Sequence, residues 1–388
     1  MDKYDTVNFN KNDIIIKSGE NPPKYFYILM DGKATSYYDF YKEYKHKNVK
    51  GSIIGLISAI IEEPYFSTVE VEETSELIKI NIESIINIKD ENLLIKMYNY
   101  LYFILETWLS KYYTILAVNK VDLYNKDDTI TMANIYKNNG YIDASYKLCL
   151  KYIELFPESN DITKVKKFIN DIENIKYTKE LEHIENNIYK FPKGYCIYTE
   201  IYSSDNIYII QSGKVGIYSI VNSKQIVRNI YTDGYIINGY NPTLEYQPLL
   251  TTAIVLEDSI INIMTKNQLI DMIYNNKSLR INFIKMVAIK VNNAVLKVKA
   301  MKKDELSTKL IIIIYSVLKM ETLYNKDITK LTLLYTIEDI KNMLNIDADN
   351  KEICNELKNI QYVELDSNSN IKITNIENYF KKYKNYII

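Results

Sequence analysis

Arginine is nearly absent: of 48 basic residues only Arg228 and Arg280 carry a guanidinium. Planar, bidentate recognition of phosphate or guanine can therefore arise at two places at most, because lysine offers a point charge instead of a fork. Histidine is as scarce, with His46 and His183 alone, and no G-x-S-x-G, H-E-x-x-H or P-loop occurs. The common hydrolytic and phosphoryl-transfer constellations cannot be assembled from this set, so the chain is expected not to be an enzyme. The three cysteines, Cys149, Cys196 and Cys354, are far apart and form no C-x-x-C, which signals neither a zinc site nor a disulfide framework and suits a reducing compartment. No apolar run is long enough to span a bilayer: the longest is Leu310 to Leu318, and the start, MDKYDTVNFNKND, is polar. A cytoplasmic protein without a membrane partner or metal is expected. Against the 48 basic residues stand 49 acidic ones, a net charge of -1, which excludes coating nucleic acid over the whole surface.

What is present is a globular composition, 47% hydrophobic over 388 residues, with length for two to four domains. Of ten glycines, nine fall in two stretches and only Gly140 lies outside them. The stretches repeat each other: Phe9 matches Phe191 at an offset of 182, Gly32 matches Gly213 at 181, and Gly51 matches Gly234 at 183. Pro64 with Pro248 and Ser75 with Ser259 continue the series at 184. An offset that drifts so little marks duplication followed by loop insertions.

Within each copy, short runs rich in Ile, Tyr and Val between turn residues predict strands: Ile14 to Lys17, Tyr25 to Met30, Val69 to Val71 and Leu77 to Ile80, then Ile207 to Gln211, Gly216 to Val221 and Ile260 to Met264. Their spacing suggests a jelly-roll or barrel. A helical pattern follows each copy, Asn92 to Leu116 and Lys277 to Lys303. The stretches Phe9 to Glu20, Tyr25 to Lys33, Gly51 to Gly55 and Pro64 to Val69, with Phe191 to Gly194, Tyr208 to Lys214 and Gly234 to Asn238, resemble cyclic-nucleotide-binding domains. Ala133, Tyr136, Gly140, Tyr152 and Pro157 keep a tetratricopeptide-like spacing, with a further helix over Ile162 to Ile175. The whole order resembles a two-domain branch of the catabolite-activator (Crp/Fnr) superfamily. The resemblance implies an α+β fold: jelly-roll domain 1 over 1–118, a tetratricopeptide-like spacer over 119–180, jelly-roll domain 2 over 181–303 and a winged helix-turn-helix over 304–388. Kinase regulatory subunits also carry tandem nucleotide domains, but the basic inhibitor motif of that class is absent.

In the family, F-G-E-L-A and P-R-A/S-A/S-x-V cradle the cyclic phosphate at a helix start, with arginine on its charge and glutamate on the ribose. Here Gly55 keeps its place, Leu56 replaces the glutamate and Tyr65 the arginine, ahead of Ser67 and Thr68. In copy two Gly239 opens the segment and Leu249 takes the arginine position, ahead of Thr251 and Thr252. Losing charged hydrogen bonds worth about 1.5 to 3 kcal/mol each weakens cyclic-nucleotide binding by orders of magnitude. No cofactor is therefore expected. The pockets are either structural remnants or sites for another ligand, and Arg228 either substitutes for the missing arginine or pairs with an acid on an exposed strand.

Along 277–303, Ile284, Val287, Val291, Ala294, Val298 and Met301 step by three and four, the seam of a helix that packs against a twin. A homodimer is expected, with packing on its own β-roll as the alternative. The same helix carries eight basic residues and no acid, whereas Glu62 to Glu91 carries nine acids against two lysines; the two read as complementary surfaces or as solvated faces. In the implied winged helix, Thr336 to Leu344 and Asp349 to Asn359 form the helix pair, and Val363 to Leu365 with Ile371 to Ile373 the wing. Asn350, Lys351, Asn355 and Lys358 are the candidates for DNA contact. Between residues 300 and 388, however, 13 lysines meet 13 acids, which leaves DNA reading and a protein-interaction scaffold both open.

Overall fold

The computed structural model describes residues 5–117, 128–173, 180–199, 201, 204, 206–238, 251–324 and 328–388. The first copy comprises β1 (Asp5–Phe9), β2 (Ile14–Ile16), β3 (Tyr25–Tyr37), β4 (Lys45–Asn48), β5 (Ile53–Ile54), α1 (Leu56–Ile61), β6 (Thr68–Asn81) and, after a 3-10 turn, α2 (Glu91–Leu116). Three helices follow, α3 (Thr129–Asn138), α4 (Ile142–Leu155) and α5 (Ile162–Glu173). The second copy comprises β7 (Glu182–Glu185), β8 (Ile188–Phe191), β9 (Cys196–Tyr198), β10 (Ile207–Val221), β11 (Lys224–Tyr231), β12 (Ile236–Asn238), β13 (Thr252–Met264), α6 (Lys266–Asn275) and α7 (Lys277–Met301). The chain continues through α8 (Leu306–Glu321), β14 (Leu331–Thr332), α9 (Ile337–Leu344), α10 (Asn350–Asn359), β15 (Val363–Leu365), β16 (Ile371–Ile373) and α11 (Ile376–Tyr383). No helix among the described residues is long and apolar enough to cross a membrane.

Each copy is built on an antiparallel sheet, in the order β1-β6-β3-β4 with β2 on β6 and β5 on β3, and β11-β10-β13-β8-β7 with β12 on β10 and β9 on β13. Among the described residues neither sheet closes into the barrel the sequence suggested. Some predicted strands are parts of longer ones: Val69 to Val71 and Leu77 to Ile80 belong to one strand, β6, and Ile207 to Gln211 and Gly216 to Val221 to another, β10. Gly19, Gly51, Gly194 and Gly234 stand in turns, whereas Gly32 and Gly213 sit at bulges inside strands. The β3–β6 register shifts between Leu29 and Ala34, and the β10–β13 register between Ile210 and Val215. Gly32 and Gly213 stand there at φ 93° and 108°, and a Cβ on either would collide with the hydroxyl of Ser75 or Ser259. A bulge lets a strand bend without ending. The duplication is visible in these contacts: Ser75 and Ser259 each donate to a carbonyl at 2.7 Å, and Lys33–Glu73 and Lys214–Glu257 pair at 3.3 and 2.8 Å.

The two copies meet through their long helices. α7 packs against α2, α1 and α8 of the same chain, with the rings of Tyr98 and Phe283 stacked at 5.6 Å. Val287, Val291, Ala294 and Val298 have no exposed surface, and Met286, Ala288, Val295, Leu296 and Ala300 are buried too. A helix covered all round is a core helix. The seam read as a dimer interface is thus covered within one chain, by the first copy and α8. Four of its eight basic residues, Arg280, Lys290, Lys297 and Lys299, are buried and so form no solvated face, whereas Lys277 and Lys302 are exposed. Arg280 does reach the acidic stretch, but its Nη1 donates to the carbonyls of Ile85, Ile86 and Ile88 at 3.2, 2.8 and 2.9 Å, not to a carboxylate.

The helices after the first copy dock on the second. Buried Asp143 on α4 accepts from the backbone N–H of Cys196 at 2.6 Å and pairs with Lys147 at 2.9 Å. At the C-terminal end α9 is capped by Thr336, whose side chain and that of Asp339 close a capping box, and it ends on Asn345 in the left-handed conformation, φ 48°. Asp349 caps α10, and β14, β16 and β15 form a three-stranded sheet in that order.

Candidate functional site

In the first copy the structure brings together four of the five expected residues. Gly55, Leu56, Tyr65 and Ser67 line one cavity, with Ser36, Tyr38, Tyr100 and Trp108. Thr68 does not line it; its hydroxyl accepts the N–H of Ser18 at 3.0 Å. The helix that begins at Leu56 has only six residues and is buried along its length. The Tyr65 ring stands 3.2 Å from where a Cβ on residue 55 would be, and burial, then Tyr25 and Glu20, push its hydroxyl pKa to about 12. Trp108 reaches in from α2, its ring 5.0 Å from Tyr38 and 6.2 Å from Phe66. About 50 Å³ remains open, room for a few waters. No lysine or arginine is in the lining, and His46, which is, has its pKa lowered by burial. The sequence missed Trp108, Tyr38 and Tyr100; the run of aromatic residues in α2 was the available signal.

In the second copy Gly239 and Leu249 lie outside the described residues. Thr251 and Thr252 are buried at the start of β13, and the Thr251 side chain hydrogen-bonds the hydroxyl of Tyr198. The larger correction concerns Arg228, which pairs with no acid among the described residues. It is the extra residue of a bulge in β11: Ile217 pairs with Asn229 and Tyr218 with Val227, so Arg228 has no ladder partner. Burial alone lowers its pKa, but the oxygens of Tyr113, Tyr231 and Tyr198 more than offset this and leave it raised, with hydrogen bonds from the guanidinium to Tyr113 and Tyr231. Its Nε is buried without a partner among the described residues.

Two lysines of α7 stand beside it. Lys297, with no exposed surface, donates to the carbonyl of Arg228, and Lys290 donates to the carbonyl of Ile236 with its ammonium 4.5 Å from the Tyr231 ring centre. Burial, then the charge of Arg228, pulls Lys297 well below its ordinary pKa and Lys290 from 10.5 to about 7. The unfolded chain keeps the Lys290 proton where the folded chain has lost it. Its cost to stability is therefore full below about pH 7 and fades as pH rises toward 10.5. In buffer free of oxyanions, Lys290→Met should raise the melting temperature at pH 7, and the gain should shrink steadily toward pH 10. A gain independent of pH would show that this amine does not titrate in that range.

On α10, Asn350, Lys351, Asn355 and Lys358 are all exposed, whereas Ile353 and Leu357 are buried. Lys351, Asn355 and Lys358, spaced by four and three, form the stripe opposite that buried pair. Glu352 is exposed and Glu356 half-buried on its flank.

Residues 6–92 and 188–276 each match the family model of the cyclic nucleotide-binding domain. Each matched stretch spans most of one sheet and ends where the long helix begins. No curated protein matches the chain. Similar solved structures include a mutant of CooA from Carboxydothermus hydrogenoformans, 16% identical, covering 51% of this chain and 87% of that one with a TM-score of 0.38. FixK2 from Bradyrhizobium japonicum is 11% identical, covering 50% and 95% with a TM-score of 0.37. The cAMP-bound PfPKA-R is 14% identical, covering 76% and 79% with a TM-score of 0.24.

Proposed function

We propose that this chain is a cytoplasmic, non-enzymatic regulator of Crp/Fnr-like build, with a helical spacer between two nucleotide-type domains and a C-terminal winged helix that contacts DNA through α10. Its first pocket is a filled remnant, because Leu56 and Tyr65 stand where the polar anchors would and Trp108 closes the space. The observation that carries the DNA reading is the outward stripe of Lys351, Asn355 and Lys358, which presents two cations and an amide away from the core. A recognition helix contacts phosphates with lysine and adenine edges with asparagine. Because α2 and α7 pair within one chain, each chain offers one such helix and reads a half-site unless a second chain joins by another surface.

Fluorescence anisotropy with genomic fragments over a salt series tests this. The expected result is weak, salt-sensitive binding in which Lys351→Ala and Lys358→Ala each lower the salt slope by about 0.9, while Asn355→Ala costs roughly 1 to 3 kcal/mol at the preferred fragment alone. If no fragment is retained at low salt, or if all three variants bind as the unmodified protein does, the DNA reading fails and the winged-helix end serves protein contacts.

A further inference from the structure

In the second copy the half-buried Arg228 stands with two buried basic side chains, Lys290 and Lys297, and among the described residues none of the three has a carboxylate within ion-pair distance. Burial without a compensating charge disfavours the ammonium form of both lysines, and an anion beside them would restore it. The fold goes out of its way to place them: a bulge displaces Arg228 from the ladder, and a core helix carries the two lysines. Bulges that re-aim one side chain gather at functional sites. The donors also have capacity to spare. Among the described residues Arg228 Nε has no partner, and Lys290 and Lys297 each donate to a single carbonyl although an ammonium has three N–H groups. Tyr198 and Tyr231, both buried, supply hydroxyls and aromatic walls.

We propose that the second copy binds an oxyanion, the phosphate or carboxylate of a small metabolite, between Arg228, Lys290 and Lys297, with the hydroxyls of Tyr198 and Tyr231 beside it. The site differs from the family's phosphate cradle in using a strand bulge and the long helix instead of a loop and helix start. It is independent of the DNA reading, since it concerns what enters the β-roll and not what α10 touches. A guanidinium fork with two point charges suits a group bearing two or three oxygens.

The test is thermal unfolding of the full chain in a zwitterionic buffer at low ionic strength, titrated with inorganic phosphate, with citrate, or with chloride at matched ionic strength. The expected result is a saturable rise with phosphate or citrate that chloride does not reproduce, roughly 2 °C or more per tenfold excess over the Kd. The arm with the larger rise identifies the phosphate or the carboxylate. Arg228→Met and Lys297→Met should lose that rise while melting no lower than the unmodified protein without anion, because each removes a basic group that has no carboxylate partner among the described residues. Lys224→Met, on the exposed end of β11, should keep it. No rise beyond that with chloride, or an undiminished rise in Lys297→Met, overturns the proposal. So does an anion-free melting temperature that falls in both Met variants, which would mark the cations as structural donors. If Arg228→Met does not fold, Lys297→Met alone decides.

Discussion

Val291→Asp should prevent the chain from folding and should not yield a well-folded monomer. Val291 has no exposed surface, and the helix that carries it is enclosed by α1, α2 and α8 of its own chain. A carboxylate left uncompensated in such a place costs about 3 to 5 kcal/mol, against a typical total of about 5 to 15 kcal/mol. The variant should appear largely insoluble, or soluble with a urea midpoint far below that of the unmodified protein. Val291→Ala, which only leaves a small cavity, should cost about 1 to 3 kcal/mol and stay folded. Light scattering with circular dichroism decides: a Val291→Asp protein with unchanged melting temperature and half the mass of the unmodified protein would show that the seam faces a twin after all.

That helix shows what a sequence of this kind discloses. Its limits and its period of three and four were legible, as was the duplication that supplies a second long helix. What covers the stripe was not, because an apolar period states that a partner exists and not which chain it comes from. In the sheets, the positions of Gly32 and Gly213 were legible but their meaning was not: positive φ serves a turn or a bulge equally well, and the opposing Ser75 and Ser259 decide it. Leu56 and Tyr65 were placed in the first pocket by their frame alone, whereas Trp108 and Tyr100 enter it from a distant helix. Arg228 was hardest to place, since a bulge breaks the alternation from which exposure along a strand is read.

The second large effect is expected at Glu63, which its sequence neighbours made look like part of an acidic surface. It is only 3% exposed, forms an ion pair with Lys319 and accepts the hydroxyl of Tyr315 at 3.0 and 3.1 Å. Both partners belong to α8, so this carboxylate fastens the first copy to the C-terminal segment. Next to it, burial and then the Glu63 charge push the Tyr315 hydroxyl pKa upward. Glu63→Ala deprives both donors of their acceptor, and breaking a buried pair from one side costs about 3 to 5 kcal/mol. The lower end is expected, because the Lys319 side chain is still 26% exposed and can reach water. Hydrogen exchange should show the loss first along α8. Glu63→Leu combined with Lys319→Leu should recover most of it, as replacing both charges of a buried pair often does. A Glu63→Ala protein within about 0.5 kcal/mol of the original, which is the range of ordinary surface changes, would mean the link is not needed.

The pairing of α2 with α7 inside one chain has an evolutionary consequence. In an assembly of identical subunits every substitution is made twice, so a change that suits one pocket is imposed on the other. Here each substitution is made once. One copy could accumulate Leu56, Tyr65 and a tryptophan that close its cavity, while the other gathered cations around a bulge, and neither change disturbed its counterpart. Such a chain pairs two diverged copies in a fixed one-to-one ratio, with no exchange between them. Within one chain, whatever enters the second copy meets no equivalent site in the first.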